Sequence, residues 1–124
     1  MTTTHLAEIA AEQQLLAYNA RALEPFLSNF TEDVEVFEFP ATLMYQGKAT
    51  MRERYTLRFA DEILHCVIVK RMVMGNTVID QERVRMTLPE GPGVLEAIVI
   101  YEAREDKIAK ITFIPGKKTP GEEL

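Results

Sequence analysis

Two acidic residues, Asp80 and Glu82, stand two positions apart in a stretch where apolar and polar residues alternate. On a β-strand this spacing places both carboxylates on one face. If that face borders a pocket, the two acids could act as a base and an acid with separated pKa values. In the alternative interpretation, Asp80 pairs with Arg71 and Glu82 with another charge at the surface or an interface, since ion-pair networks also shift pKa values.

Four further residues could move a proton or hold a substrate oxygen. His65, at the start of the same strand pair, could shuttle protons or could be a strand-end histidine bonded to backbone. Tyr18, near the end of the first predicted helix, could donate a hydrogen bond to a ligand or could be a core tyrosine with its hydroxyl at a rim. Tyr45 and Tyr101 present the same two alternatives.

Metal and cofactor chemistry has no support in the residue types. The two histidines, His5 and His65, lie far apart, and Cys66 is the one cysteine, so no metal-ligand spacing occurs. The sequence has no glycine-rich phosphate loop and no dinucleotide fingerprint. The net charge of −5 leaves no basic excess to neutralise phosphates. We therefore expect no cofactor, no metal and no nucleic-acid partner.

The length of 124 residues and the content of 47% hydrophobic residues predict one domain with a real core. We expect this domain over residues 1–114, followed by a flexible C-terminal tail, residues 115–124, which is polar and rich in Pro and Gly. The N-terminal segment lacks the basic start and apolar run of a signal peptide, and no stretch approaches the length of a membrane span. We expect a cytoplasmic protein without membrane contact.

The two acids belong to a predicted hairpin over residues 67–85, with Gly75-Asn76 as its two-residue turn. The predicted cross-strand pairs are Met74 with Thr77, Val73 with Val78, Arg71 with Asp80, Val69 with Glu82, and Ile68 with Arg83. One face would carry Val67, Val69, Arg71, Val73, Val78, Asp80, Glu82 and Val84. Both faces mix apolar and charged residues, so we expect helices to cover one and a second subunit the other.

The rest of the chain predicts helices first and strands afterwards. The expected elements are helices over residues 6–19, 23–30 and 48–60, a strand over 34–39, the hairpin over about 64–88, and strands over 94–104 and 107–114. The first helix would bury Leu6, Ile9, Gln13 and Leu16. Residues 41–47 and 89–93 would be loops. This order predicts an α+β fold in which a curved, mostly antiparallel sheet wraps around the helices as a cone with an apolar pocket.

A series of short motifs runs in order along residues 6–114. They are Tyr18-Asn19, Phe30-Thr31-Glu32-Asp33-Val34, Phe39-Pro40, Tyr45-Gln46-Gly47, Gly75-Asn76, Gln81-Glu82-Arg83-Val84, Ile100-Tyr101-Glu102 and Asp106-Lys107-Ile108. This set resembles the nuclear transport factor 2-like superfamily, in the small bacterial branch that includes ketosteroid isomerases, limonene epoxide hydrolase and SnoaL-like polyketide cyclases. The resemblance implies the cone-shaped, cystatin-like fold and leaves the activity open, because the fold hosts enzymes and binding domains alike.

The resemblance to ketosteroid isomerases retains one of three functional groups. The place of their proton-transferring carboxylate is occupied by Phe39. Their oxyanion-binding tyrosine is matched by Tyr18, and their second oxyanion group, a protonated acid, falls near Val99. The isomerase mechanism therefore does not transfer intact.

The resemblance to limonene epoxide hydrolase retains only Arg83, in its Glu-Arg-Val run. The two acids of that enzyme fall at Arg85 and Phe113, and its water-holding tyrosine and asparagine at Phe37 and Phe39. This alignment would turn Arg83 inward and Glu82 outward, although a bulge could reverse the faces. The residues therefore leave open which face of the hairpin lines the pocket.

Two functions remain open. The first is an enzyme that isomerises or hydrates an apolar ketone-, terpenoid- or polyketide-like substrate, with a catalytic set of Tyr18, Asp80, Glu82, Arg83 and His65. The second is a non-catalytic domain for ligand binding, dimerisation or association. The expected pocket lining is Phe37, Phe39, Tyr45, Met72, Leu95, Val99, Tyr101 and Phe113. The expected partners are an apolar small molecule and a second copy of the chain, packed through the sheet.

Overall fold

A computed structural model describes residues 5–124 of the chain. The helices are α1 (Leu6–Asn19), α2 (Leu23–Leu27) and α3 (Lys48–Arg58). The strands are β1 (Phe30–Glu38), β2 (Thr42–Gln46), β3 (His65–Met74), β4 (Thr77–Leu88), β5 (Gly91–Arg104) and β6 (Lys107–Pro120). No helix within residues 5–124 is both long enough and apolar enough to cross a membrane.

The strands form one six-stranded sheet in the order β2-β1-β6-β5-β4-β3. All neighbouring strands are antiparallel except β1 and β6, which run parallel. The inner face of the sheet and the three helices share one hydrophobic core, which is dominated by Phe26, Phe30, Val36, Val99 and Ile108. The predicted α+β, cystatin-like class is confirmed.

The helix α1 buries a different face from the predicted one. Its buried residues are Ala7, Ala10, Ala11, Gln14, Ala17 and Tyr18. The predicted stripe points away from the core, with Leu6, Ile9 and Leu16 at 41%, 55% and 55% exposure. Both faces are apolar at helical spacing, and the alanine face lets the helix axis approach the sheet more closely than leucine would. The prediction chose the face with the more hydrophobic side chains, whereas the close approach of α1 to the sheet selects the face with the smaller ones.

The hairpin register is as predicted near the turn and shifts further along. The pairs Met74 with Thr77, Val73 with Val78 and Arg71 with Asp80 are present. A bulge between Ile68 and Lys70 then places Ile68, instead of Val69, opposite Glu82. An extra residue in one strand reverses the facing of every residue beyond it.

The shift moves residues of β3 between the two faces. Cys66 and Ile68 join the core. Val67 and Val69, predicted beside Glu82, are 41% and 53% exposed. Asp80 and Glu82 stay together on the inner face, because the bulge lies in β3 and leaves β4 regular.

Three predicted loops or tails belong to the sheet. Residues 42–46 form β2, which pairs with β1. Gly91 and Gly93 lie in β5 and pair with Leu88 and Met86. Residues 115–120 extend β6, and Pro120 pairs with Gly93, so the expected flexible tail is an ordered strand over this part. The glycine and proline content of these segments predicted loops. Neighbouring strands nevertheless provide backbone hydrogen-bond partners, which makes the segments part of the sheet.

Candidate functional site

A cavity of about 410 Å³ lies between the helices and the concave face of the sheet. Nearly every element contributes to its wall. Its buried lining residues are Gln14, Tyr18, Val36, Tyr55, Cys66, Glu82, Val84, Ala97 and Tyr101. Its exposed lining residues, which form the rim, are Glu38, Met44, Arg54, Leu57, Arg58, Pro115 and Lys118. The interior is therefore mainly apolar and aromatic, and the rim is charged.

Glu82 is the one buried carboxylate among the lining residues, and its residue exposure is 8%. Burial, followed by the charge of Asp80, raises the pKa of Glu82 from about 4.5 to about 7. Hydrogen bonds from Cys66 and Tyr101 and the positive charge of Arg71 oppose the rise. A carboxyl group in this range exchanges a proton readily at neutral pH.

A short chain of hydrogen bonds holds the Glu82 side chain. The Tyr101 hydroxyl donates to Oε2 of Glu82 over 3.3 Å. The Nε2 group of Gln14 donates to the Tyr101 hydroxyl oxygen over 3.1 Å and to the Ala11 carbonyl over 3.0 Å. Gln14 therefore ties α1 to the sheet and fixes the direction in which Tyr101 donates.

Asp80 lies behind Glu82 and outside the cavity lining, with no exposure. Arg71 binds it through two bonds, Nε to Oδ1 at 2.7 Å and Nη2 to Oδ2 at 2.9 Å. A third bond, from Nη1 of Arg71, reaches Oε1 of Glu12 on α1 at 3.0 Å. The predicted pairing of Arg71 with Asp80 is therefore present, and Asp80 acts on Glu82 through its charge.

Tyr18 and Tyr55 face the cavity from the helical side. Their rings pack edge to face with centroids 6.4 Å apart, and both also pack against Phe26 and Phe59. Burial raises the pKa of the Tyr18 hydroxyl, which therefore keeps its proton. Nη1 of Arg58 lies 3.5 Å from that oxygen and can donate to it, so the Tyr18 proton is free to bind a ligand oxygen.

The rim carries arginines stacked on tyrosines. The guanidinium carbon of Arg54 lies 4.5 Å from the ring centre of Tyr45, and that of Arg58 lies 5.7 Å from the ring centre of Tyr55. Both distances suit cation–π contact. Positive charge is thus held at the mouth of the cavity.

Six of the predicted site residues line this cavity. They are Tyr18, Tyr45, Glu82, Leu95, Tyr101 and Phe113. The cavity thus unites one predicted acid with three predicted tyrosines. The alternation of side chains along a strand was sufficient to predict that Glu82 and Tyr101 face the same side, because β4 and β5 remain in regular register there.

The other predicted site residues lie elsewhere. Arg83 is on the outer face, where its Nη2 group bonds the Glu122 carboxylate and the Glu123 carbonyl. His65 pairs with Arg85 at the start of β3 and is outside the lining. Asp80 belongs to the ion-pair network. Alternation along β4 separates Arg83 from Glu82, so the facing implied by the epoxide hydrolase alignment is not the observed one.

Four predicted lining residues are also outside the cavity wall. Phe37 lies under Lys110, whose Nζ is 4.9 Å from the ring centre. Phe39 and Met72 are 54% and 59% exposed, and Val99 is fully buried in the core without reaching the cavity. Phe37 and Met72 fall on the convex side because side chains alternate along β1 and β3.

Gln14, Tyr55 and Arg58 line the cavity and were not predicted. Gln14 stands among the alanines of α1, so the alanine face would have identified it. Arg54 and Arg58 are four positions apart on α3 and flank Tyr55, which places all three on one side of the helix. Within residues 5–124 no group of three or more His, Cys, Asp or Glu side chains is placed to hold a metal ion.

A curved six-stranded sheet closed by helices around a cavity defines the cystatin-like, nuclear transport factor 2-like class of α+β proteins. A family model described as a SnoaL-like domain matches residues 11–111. The chain belongs to the SnoaL-like domain family. No functionally curated protein matches the sequence.

Solved structures agree with this fold at low sequence identity. An uncharacterised cystatin-fold protein from Novosphingobium aromaticivorans has a TM-score of 0.77 at 22% identity, with 92% of this chain and 98% of that chain covered. The epoxide hydrolase/cyclase-like enzyme SalBIII, connected with pyran ring formation in the polyether salinomycin, has a TM-score of 0.78 at 16% identity, covering 89% and 90%. A candidate ketosteroid isomerase from Kribbella flavida has a TM-score of 0.76 at 18% identity, covering 100% and 87%.

Proposed function

We propose that the protein is an acid/base enzyme that isomerises or cyclises a small, mainly apolar carbonyl compound, with Glu82 as the proton-transferring group. The observation that carries the proposal is a buried carboxyl group that faces a cavity and has a pKa of about 7. A carboxyl group with this pKa is about half ionised at neutral pH. It therefore combines a useful fraction of the basic form with a high affinity for the proton. Structural relatives described as isomerase-like and cyclase-like support the same reaction class.

The cavity supplies the parts of a proton transfer next to a carbonyl group. Ionised Glu82 takes a proton from the carbon beside the carbonyl, and the electron pair of the broken C–H bond moves to the carbonyl oxygen as an enolate. Tyr18, still protonated, donates a hydrogen bond to that oxygen, with Arg58 behind it. In a β,γ-unsaturated substrate the electron pair extends over a dienolate, so protonated Glu82 returns its proton to the γ-carbon while the carbonyl re-forms, which completes an isomerisation. In a cyclisation the enolate carbon instead bonds to a second carbonyl carbon of the same substrate, the C=O π pair of that carbonyl moves to its oxygen, and protonated Glu82 gives its proton to that oxygen.

The alternative is a binding domain without catalysis. The apolar wall formed by Val36, Val84, Leu95 and Phe113 favours it, because such a wall holds a ligand whether or not a reaction follows. The fate of the proton on carbon distinguishes the two functions.

The proposal is tested by hydrogen–deuterium exchange into a panel of small cyclic ketones, followed by NMR in heavy water. We expect the wild-type protein to accelerate exchange beside the carbonyl, and Glu82→Gln to lower that rate by about 10²- to 10⁴-fold, the usual contribution of a general base. Glu96→Gln removes an exposed carboxylate outside the cavity and serves as the matched control.

The pH dependence of the exchange rate adds a second readout. The rate per enzyme should rise with pH and level off above about pH 7, because the base must be ionised. If wild type and Glu82→Gln both bind ketones without exchange, the binding-domain alternative replaces the enzyme.

We further propose that two copies of the chain pack through the outer face of the sheet. A row of cross-strand neighbours crosses all six strands of that face: Met72, Ile79, Ile100, Thr112, Phe37 and Leu43. Val67, Ile98 and Ile114 add to it, and Met72 and Ile98 are 59% and 38% exposed. An apolar surface of this extent on a sheet is typical of an interface.

A further inference from the structure

Three cations stand at the mouth of the cavity without an acidic partner. Arg54 and Arg58 come from α3 and Lys118 from β6. Within the described part of the chain, none of them has a carboxylate at ion-pair distance. The chain has 19 acidic and 14 basic residues, so carboxylates are in excess. Arginines that remain unpaired at one place in an acidic protein are available to bind an anion from outside the protein.

The contacts of the two arginines leave their hydrogen-bond donors available. A guanidinium stacked on an aromatic ring uses its flat face, whereas its five N–H groups point outward in the plane. Arg54 stacks on Tyr45 and Arg58 on Tyr55. Within residues 5–124, only one donor of Arg58 is directed to a side chain, the Tyr18 hydroxyl, and that distance is 3.5 Å. The rings hold the guanidinium groups in place, and the free edges suit the two oxygens of a carboxylate.

We infer that the substrate carries a carboxylate at one end, which Arg54, Arg58 and Lys118 bind at the rim while the apolar remainder reaches Glu82. The inference rests on the proposed function and adds the substrate class, an apolar acid. The spacing of i and i+4 on α3 brings the two arginines to the same side of the mouth, so one carboxylate can contact both.

The interior of the cavity explains why the anionic end stays at the rim. The positive charge of Arg71 acts on Glu82 but is already paired with Asp80, so a second carboxylate beside Glu82 would be repelled. Tyr55 belongs to both regions of the wall, since Arg58 of the rim stacks on its ring while the residue itself is buried in the cavity lining. A substrate with its acid at Arg58 therefore places its apolar carbons, and not its charge, at the base.

Among the residues that the structure describes, Glu38 is the one acid on the rim, and its charge opposes that of the cations. It belongs to β1 rather than α3, and it is outnumbered by the three basic side chains. Its presence provides a test of sign, because removal of Glu38 should strengthen the binding of an anion whereas removal of the arginines should weaken it.

The test compares two fluorescent probes, dimethylaminonaphthoate and acetyl-dimethylaminonaphthalene, which differ in that a carboxylate replaces a methyl ketone. Titrations at about pH 6 keep the probe acid ionised and most of Glu82 protonated. We expect the acid to bind wild type more tightly than the ketone. The double variant Arg54→Gln, Arg58→Gln should weaken the acid about tenfold or more relative to the ketone, because only the acid loses charge-assisted hydrogen bonds to the guanidinium groups.

Two control variants complete the design. Arg52→Gln removes a cation from the same helix that pairs with Glu24 and does not line the cavity, and it should leave both probes unchanged. Glu38→Gln should strengthen the acid alone. Added salt should weaken the acid and spare the ketone.

The outcomes separate the two proposals. Ketone binding without a preference for the acid, or equal weakening of both probes in the double arginine variant, overturns the carboxylate inference and leaves the small-molecule cavity standing. Failure of the wild-type protein to bind either probe contradicts the proposed function, and the inference falls with it.

Discussion

At the scale of single residues, the chemistry depends on the balance of charges around Glu82. Burial and the Asp80 carboxylate raise its pKa, while Arg71 and hydrogen bonds from Tyr101 and Cys66 limit the rise. Without Arg71 and these hydrogen bonds, an equally buried carboxyl group would stay protonated throughout the neutral pH range. A solvent-exposed carboxylate, with its ordinary pKa, would be too weak a base.

The raised pKa of Glu82 also makes the stability of the protein depend on pH. The unfolded chain ionises Glu82 near pH 4.5 and the folded chain near pH 7, so the folded state binds more protons between these values. Stability from this group is present below about pH 4.5 and is lost as pH rises to about 7. The total loss is about 3 kcal/mol at 1.36 kcal/mol per pKa unit.

We therefore predict that Glu82→Gln is more stable than wild type at about pH 8 by up to about 3 kcal/mol, and close to wild type at about pH 4.5. Urea unfolding at both pH values measures the difference. An equal difference at the two pH values would show that Glu82 ionises in the folded protein as it does in the unfolded chain.

The candidate site was only partly predictable at this scale. The i, i+2 spacing of Asp80 and Glu82 correctly placed them on one face, and the opposite signs of Arg71 and Asp80 correctly paired them. Gln14 carries no chemical signature of its own, and its role depends on Tyr101, 87 positions away. Contacts of this range follow from the tertiary fold and have no counterpart in local spacing.

At the scale of elements, the bulge in β3 allows one strand to serve two purposes. On one side of Val69, Arg71 faces inward and neutralises Asp80. On the other side, Cys66 and Ile68 face inward and fill the core around Glu82. A regular strand would have kept Arg71 inward at the cost of exposing Cys66 and Ile68.

Arg71 of β3 forms ion pairs with Asp80 of β4 and Glu12 of α1, and we predict that these pairs stabilise the packing of the three elements. Arg71→Met leaves the fully buried Asp80 without its partner and should destabilise the fold by about 3 kcal/mol or more. Glu12→Gln removes the half-exposed partner of the same arginine and should cost less than about 1 kcal/mol.

Denaturant unfolding of the two variants under the same conditions measures both effects. Adding Asp80→Asn to Arg71→Met should recover part of the loss, because the uncompensated charge is then removed. A loss no larger for Arg71→Met than for Glu12→Gln would mean that water reaches Asp80.

The elements themselves were predictable where hydrophobic period and turn residues agree. The hairpin turn at Gly75-Asn76 is one such case, and Gly75 adopts the positive φ of 58° that the turn requires. The prediction failed where glycine and proline lie inside strands, as at Gly91–Gly93, because pairing with a distant strand outweighed local preference. The buried face of α1 was predicted wrongly because it consists mainly of alanine, which is less hydrophobic than the leucine and isoleucine of the other face but allows closer packing.

At the scale of the whole molecule, the concave face of the sheet encloses the cavity, and the convex face carries a row of cross-strand neighbours that is apolar at every position except Thr112. The sequence predicted this division in outline, since both faces of the hairpin mix apolar and charged residues. The identity of the residues on each face required the register. Phe37 and Met72, expected in the pocket, lie on the outer surface because side chains alternate along β1 and β3.

The proposed dimer predicts that a charge in the centre of the convex face separates the two copies. Ile98→Lys places an ammonium group on β5 and should convert a dimer to a monomer in sedimentation experiments. Ile9→Lys changes an equally apolar residue on α1, 55% exposed, and should leave the dimer intact. A wild-type protein that sediments as a monomer at high concentration would contradict the assembly.

The position of Cys66 gives the molecule a natural reporter. It is the one thiol of the chain, it lies in the cavity wall beside Glu82, and burial raises the pKa of its thiol, which keeps the reactive thiolate scarce. A small neutral alkylating reagent must therefore enter the cavity to reach it. Mass spectrometry of the labelled chain would show, through protection by a bound compound, which molecules occupy the cavity.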